Sequence, residues 1–251
     1  MLTKRHFHAD QFFQGFRGHD PDIKTGWPSA IYSSLEYNGF MLTKLTTIPL
    51  FPLGQTLYPS GALDLKIFEV RYLDMVKDCI ANSSTFGIVT LDEGKEVADP
   101  SDKPTVFFPT GTLVDITYFD APQPSLFFIK CRGTRRFKVH QSQKEKNGLW
   151  MGDVEFLSDD GNYPIQAEHH KLADNLGAII ASLQKKGVRE DQMPFSQPYD
   201  LEQCGWVANR WCEILPLTPG QKHHLLSIDN GQIRLDLVKE LIEEMTGQSH
   251  S

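Results

Sequence analysis

Residues 48–72 read IPLFPLGQTLYPSGALDLKIFEVRY, and the way this run changes character sets the fold class. Pro49, Pro52 and Pro59 each fix φ and lack an N–H, so the first half is expected to be short strand pieces at a sheet edge, broken by turns. Ser60 and Gly61 supply one of those turns. Leu63, Leu65 and Ile67 then alternate with Asp64 and Lys66, the period of a half-buried strand. After Glu69 the period changes: Leu73, Val76 and Ile80, with Tyr72 beside them, are spaced for one face of a helix. A strand pair running straight into an amphipathic helix predicts an α+β core.

Downstream, residues 85–91 are rich in β-branched and aromatic residues, and a turn at Asp92-Glu93-Gly94 leads to a short strand near Glu96 and Val97. Residues 106–118, 126–139 and 149–157 complete a set of strands, with a bend expected at Pro109 to Gly111 and a turn over 120–125. The polar run SDDGNYP, residues 158–164, reads as a domain boundary. Beyond it, residues 165–186 align Leu172, Leu176, Ile179, Ile180 and Leu183 on one helical face. Leu201, Cys204, Val207, Trp211 and Ile214 or Leu215 repeat that pattern. Thr218-Pro219-Gly220-Gln221 has the form of a capping box with proline at the first helical position. Asp229 or Asn230 caps a last helix that turns Ile233, Leu237, Val238, Leu241, Ile242 and Met245 inward and stops at Gly247. Residues 1–40 show no sustained period, so they are expected to be a flexible extension or to precede the true start.

A chain of 251 residues with 40% hydrophobic content has enough apolar side chains for a sizeable core. A net charge of -7 and a pI near 5.7 argue against a general nucleic-acid or acidic-membrane binder. Cys79, Cys131, Cys204 and Cys212 show no CxxC spacing and fall inside predicted elements, the habit of reduced core thiols in a cytoplasmic protein. No apolar run reaches the roughly 18 to 20 residues needed to cross a bilayer.

Several blocks carry a family likeness. They are Pro49-Leu50-Phe51-Pro52-Leu53, Leu57-Tyr58-Pro59, and the run from Leu65 to Tyr72. Phe86-Gly87-Ile88-Val89, Gly94-Lys95-Glu96-Val97, residues 111–116 and residues 133–139 follow, then Glu213-Ile214-Leu215-Pro216-Leu217 with Lys222 and Leu225-Leu226. Together, over residues 41–244, they resemble the amino-terminal substrate-binding domain of the ATP-dependent protease Lon, as found in short stand-alone proteins. The chain departs from that pattern at Val70, where the family often has proline, and at Ser60, where it often has a second glycine. The resemblance implies an α+β protein: a PUA-like β-barrel with one packed helix over residues 41–160, then a helical bundle over residues 161–251. It implies a non-catalytic module that binds unfolded or degron-bearing polypeptides, with a protease or chaperone as a further partner.

The search for catalytic chemistry agrees. The sequence contains no GxxxxGK[ST] loop, no GxSxG elbow and no HExxH pair. The adjacent pairs His169-His170 and His223-His224 diverge by about 100° on a helix and cannot clamp one ion together, so no metal, cofactor or catalytic residue is expected. For a polypeptide site the candidates are Phe51, Leu57, Tyr58, Phe68, Arg71 and Tyr72, on a proline-rich edge facing the helical domain across a crevice. The competing structural reading places the aromatics in the core. It sets Glu69 at the positive end of the helix and pairs Arg71 with a carboxylate or a loop carbonyl. A rival function is RNA binding through Arg132, Arg135, Arg136 and Lys138, with Arg136 and Lys138 on one strand face and Arg135, Phe137 and Val139 on the other. The overall negative charge makes nucleic acid the less favoured partner.

Overall fold

A computed structural model describes residues 44–93 and 105–247. The expected extension over residues 1–40 and the strand near Glu96 and Val97 lie outside the described residues. The strands are β1 (Thr46–Leu53), β2 (Ala62–Ile67), β3 (Phe86–Glu93), β4 (Val106–Gln123), β5 (Leu126–Lys144) and β6 (Trp150–Phe156), with helix α1 (Val70–Asn82) between β2 and β3. Helices α2 (His170–Lys185), α3 (Cys204–Ile214), α4 (Pro219–Leu226) and α5 (Gly231–Thr246) follow. The α+β class read from the sequence is the class observed.

The strands lie in the order β2-β5-β4-β3-β1-β6, and β6 also pairs with β5. Pairing therefore runs in a circuit through β5, β4, β3, β1 and β6, with β2 added outside β5. Ile48, Leu50, Val89, Leu113, Phe137 and Val154 pack inside that circuit. The space is so narrow that a Cβ on Gly87 would come within 2.4 Å of the Phe137 ring, and one on Gly111 within 2.5 Å. Glycine stands at both positions because the phenyl group takes the volume a side chain would need. A second core joins Phe51, Leu53, Leu63, Leu65, Ile67 and Phe86 to the buried face of α1, which is Tyr72, Leu73, Met75, Val76 and Cys79. Ile80, expected on that face, is exposed, because the stripe follows Tyr72, Met75, Val76 and Cys79 instead.

The proline-rich β1 is not an edge. It pairs in parallel with β3 and antiparallel with β6, and Pro52 sits opposite Val89. The expectation of an open edge there fails because each proline removes only its own N–H and leaves a carbonyl and its neighbours to make the ladder. β4 also runs past its expected end at Tyr118 to Gln123, with Pro122 in an irregular stretch of the β4–β5 ladder between Asp120 and Gln123. Ser60 adopts a φ of 62°, the left-handed conformation that glycine enters most readily.

In the helical half, the capping box at Thr218 and the Asn230 cap form as the sequence predicts, and α5 ends on a left-handed Gly247. Ile233 points to solvent rather than inward. Leu172, Leu176, Ile180, Val207, Trp211, Leu235 and Val238 make the third core, and Tyr58 from the strand half belongs to it. All four cysteines are free and buried. Burial pushes the thiols of Cys131 and Cys212 up to about 12. No helix among the described residues is long and apolar enough to cross a membrane.

Candidate functional site

The seam between the two halves is filled. Tyr58 is fully buried, and its hydroxyl donates to the Lys222 carbonyl at 2.6 Å. Gly61 lies so near the Glu213 carboxylate that a Cβ would come within 2.3 Å of it. Arg210 bridges that carboxylate, at 2.7 Å, to the Pro59 carbonyl, at 3.0 Å. Asp160, from the connection after β6, accepts two bonds from Arg234, at 2.6 and 2.7 Å, and pairs with Arg136 at 3.2 Å. Burial alone would raise the Asp160 carboxyl pKa. The hydrogen bonds and charge of Arg234, with the charge of Arg136, outweigh it and hold the group below the usual carboxylate range. Arg136 also donates to the carbonyls of Leu226, Ile228 and Ser158. Such a seam locks the halves together with buried polar contacts among the described residues.

The predicted polypeptide-binding residues therefore divide. Phe51, Leu57, Tyr58 and Tyr72 are core, with Phe51 and Tyr72 stacked at 3.8 Å between ring centres. Arg71 donates to the Gly148 carbonyl at 2.9 Å and to Glu69 at 2.8 Å, so it ties the β5–β6 turn to the start of α1, where Glu69 holds the N-cap position without a side-chain cap bond. Phe68 alone of the six is exposed, at 39%. The basic tract is likewise divided. Arg136 is buried in the seam and Phe137 inside the circuit, while Arg135 donates to the Leu157 carbonyl and Lys138 is exposed. Strand β5 pairs with β2, β4 and β6, so the expected solvated edge strand is the most fully paired strand of the sheet. The tract presents no continuous cationic face.

Sequence reasoning missed the outward face of β2, β5 and β4. Lys66 stands opposite Phe128, Asp64 opposite Lys130, and Tyr118 opposite Lys130, which puts these side chains on one face of the sheet. Tyr118 is 52% exposed and Phe128 37%, with the Lys66 ammonium 5.9 Å from the Phe128 ring centre. Phe68, one residue past β2, continues the same alternation. The signal was present in the sequence: Phe128 breaks the apolar-in, polar-out alternation of the residues around it.

Two further clusters are structural in character. Among the described residues, Glu168, His169 and Asp236 bring three potential ligand atoms within 4.8 Å of one another. His169 Nε2 is already bonded to Asp236 at 2.7 Å, and Nδ1 is buried without a partner, lacking the second hydrogen bond that normally orients a metal-bound imidazole. The contact cross-links the start of α2 to α5. The other pair is split as well: His223 stacks on Phe108 and its Nε2 accepts from the Thr110 N–H at 3.3 Å. Burial, and secondarily the neighbouring His224, pushes the His223 pKa down. A shallow groove of about 590 Å³ beside α2 is lined by Ile165, Ala173, Gly177 and Leu201 and carries His170, Asp174 and Glu202.

Comparison with known proteins agrees with this geometry. The structure resembles the crystal structure of a Lon N-terminal domain protein from Xanthomonas campestris, with 32% identity and a TM-score of 0.60, over 78% of this chain and 98% of that one. The N-terminal domain of a Mycobacterium avium complex Lon protease aligns at 14% identity and a TM-score of 0.49, over 82% of this chain and 100% of that one. No curated protein matches the chain. The model of the ATP-dependent protease La (LON) substrate-binding domain matches residues 47–244, which cover both halves and the seam, and the chain belongs to that family.

Proposed function

We propose that this chain is a non-catalytic recognition module that binds unfolded or degron-bearing polypeptides on the outward face of β2, β5 and β4. The observation that carries the reading is the group of Tyr118, Phe128 and Phe68, large aromatic residues left in water on one sheet face beside Lys66. Aromatic side chains exposed together supply contact area at small entropic cost. Family membership supports protein substrates as the ligand class. The burial of Tyr58 and its neighbours in the seam favours this face over the crevice expected between the halves.

A permanently unfolded, carboxymethylated protein labelled with a fluorophore is a suitable probe in an anisotropy titration. Replacing Tyr118 and Phe128 together by aspartate should weaken binding roughly tenfold to hundredfold, because an anion then occupies an apolar contact costing about 1 to 3 kcal/mol. Unchanged affinity in a variant with native circular dichroism would remove this face from consideration. A labelled single-stranded RNA that binds where the polypeptide does not, with an affinity that falls steeply with salt and is lost on reversing Arg135 and Lys138, would favour the nucleic-acid reading instead.

A further inference from the structure

Strand β2 ends the sheet order, and among the described residues it pairs only with β5. The Gly133 N–H donates to the Gly61 carbonyl at 2.9 Å, and the ladder from Ala62 opposite Arg132 to Ile67 opposite Phe127 continues that pair. Backbone direction alternates along a strand. Leu63, Leu65 and Ile67 therefore turn their N–H and C=O groups toward β5, while Ala62, Asp64 and Lys66 turn theirs to the open edge. An open strand edge of this kind is a template for another strand unless charge forbids it.

We infer that this edge pairs with the same edge of a second copy of the chain, antiparallel and about a two-fold axis beside Leu65. In that register Asp64 faces Lys66 of the partner subunit, and Lys66 faces the partner's Asp64. Leu63 faces the partner's Ile67, and Ala62 faces the partner's Phe68. Only registers that match edge-directed residues with one another complete the ladder. Of these, shifting the axis by one residue either way sets Asp64 against the partner's Asp64 or Lys66 against the partner's Lys66, both repulsive. A lone edge lysine normally discourages pairing. Here the aspartate two residues earlier turns that charge into a self-complementary pair, the requirement of an isologous contact. The dimer would carry both aromatic faces on one continuous sheet, but it stands independently of what those faces bind.

Sedimentation velocity on the full chain tests this. The native protein should reach a dimer as its concentration rises into the micromolar range usual for small interfaces. Asp64→Lys alone, or Lys66→Asp alone, should raise the dimer dissociation constant roughly tenfold to hundredfold, since each turns two attractive contacts into two repulsive ones. Mixing these two variants in equal amounts should yield a heterodimer, because both edge charges are then positive on one chain and negative on the other. The double variant Asp64→Lys/Lys66→Asp should dimerise as the native chain does. Native protein that stays monomeric at about 100 μM, single variants that dimerise unchanged, or folded single variants that fail to associate on mixing would each overturn the pairing.

Discussion

Strand β5 puts opposite chemistry in places opposite to those polarity suggests. Toward its carboxyl end Arg136 runs into the seam, almost wholly buried and surrounded by carbonyls and carboxylates. Toward its amino end Phe128 stands in water on the outward face, with Tyr118 on the adjoining strand. The seam turns its interactions to rigidity: Arg136, Arg210 and Arg234 are all buried, and Asp160 holds two of them. The face has surface to offer and few partners within the chain. A buried cation and an exposed aromatic on one strand together separate the region that fixes the fold from the region free to bind.

The largest effect should come from attacking the seam. Asp160→Ala leaves the buried Arg234 guanidinium short of its anion and Arg136 with only the exposed Asp229, and should cost about 3 to 5 kcal/mol in urea unfolding, with the slope of the transition unchanged. A cost below about 1 kcal/mol would mean the seam is not the lock described here. Next in size is Tyr58→Phe, which removes the hydroxyl that donates to the Lys222 carbonyl and lies in hydrogen-bonding contact with Cys212, for about 1 to 2 kcal/mol. Tyr58→Asp, by contrast, should not fold, since it places a charge in the helical core.

Acid should also act on the contact between the halves. The His223 pKa is depressed by burial, so between its folded and unfolded values the unfolded chain binds the extra proton. Stability from this group is present above the unfolded pKa, about 6.5, and declines as the pH falls through that value toward the lower folded one. Melting temperatures at pH 7 and pH 5 should differ more in the native protein than in His223→Gln. Equal slopes would show that other groups set the acid sensitivity. Ser60→Gly is expected to stabilise by about 0.5 to 1 kcal/mol, because it relieves a left-handed φ at some cost in unfolded-state entropy. The smallest change in stability belongs to the face. Tyr118→Ser or Phe128→Ser should shift unfolding by no more than about 0.5 kcal/mol while weakening polypeptide binding. A large loss of stability would assign these aromatics to the fold and blur the contrast drawn above.

Much of the fold was legible because it rests on local rules. The alternation of Leu63, Leu65 and Ile67, the start of α1 at Val70, the Thr218 box and the Asn230 cap each depend on a few neighbouring residues. The candidate site was legible only at Phe68. Whether Phe51 or Tyr58 faces water depends on which distant segment covers it, and here the cover comes from α1 and from the helices beyond residue 200. Arg136 looked like surface because a cation without visible partners is usually solvated. Its partners, Asp160 and the carbonyls of Ser158, Leu226 and Ile228, lie 22 or more positions away. The prolines of β1 misled for the opposite reason, since their local rule is real but bears on single donors within a strand paired on both sides.

The four cysteines are shared evenly, Cys79 and Cys131 in the strand half, Cys204 and Cys212 in the helical half, each closed off from water. A buried thiol held as a protonated S–H reacts with an alkylating reagent only when its surroundings open. The protein thus carries two pairs of built-in clocks. If the seam makes the halves one cooperative unit, all four thiols will be modified at a single rate that follows global unfolding. If a half can open alone, its two thiols will run ahead of the other pair, and mass spectrometry of the partly labelled chain will say which half it is.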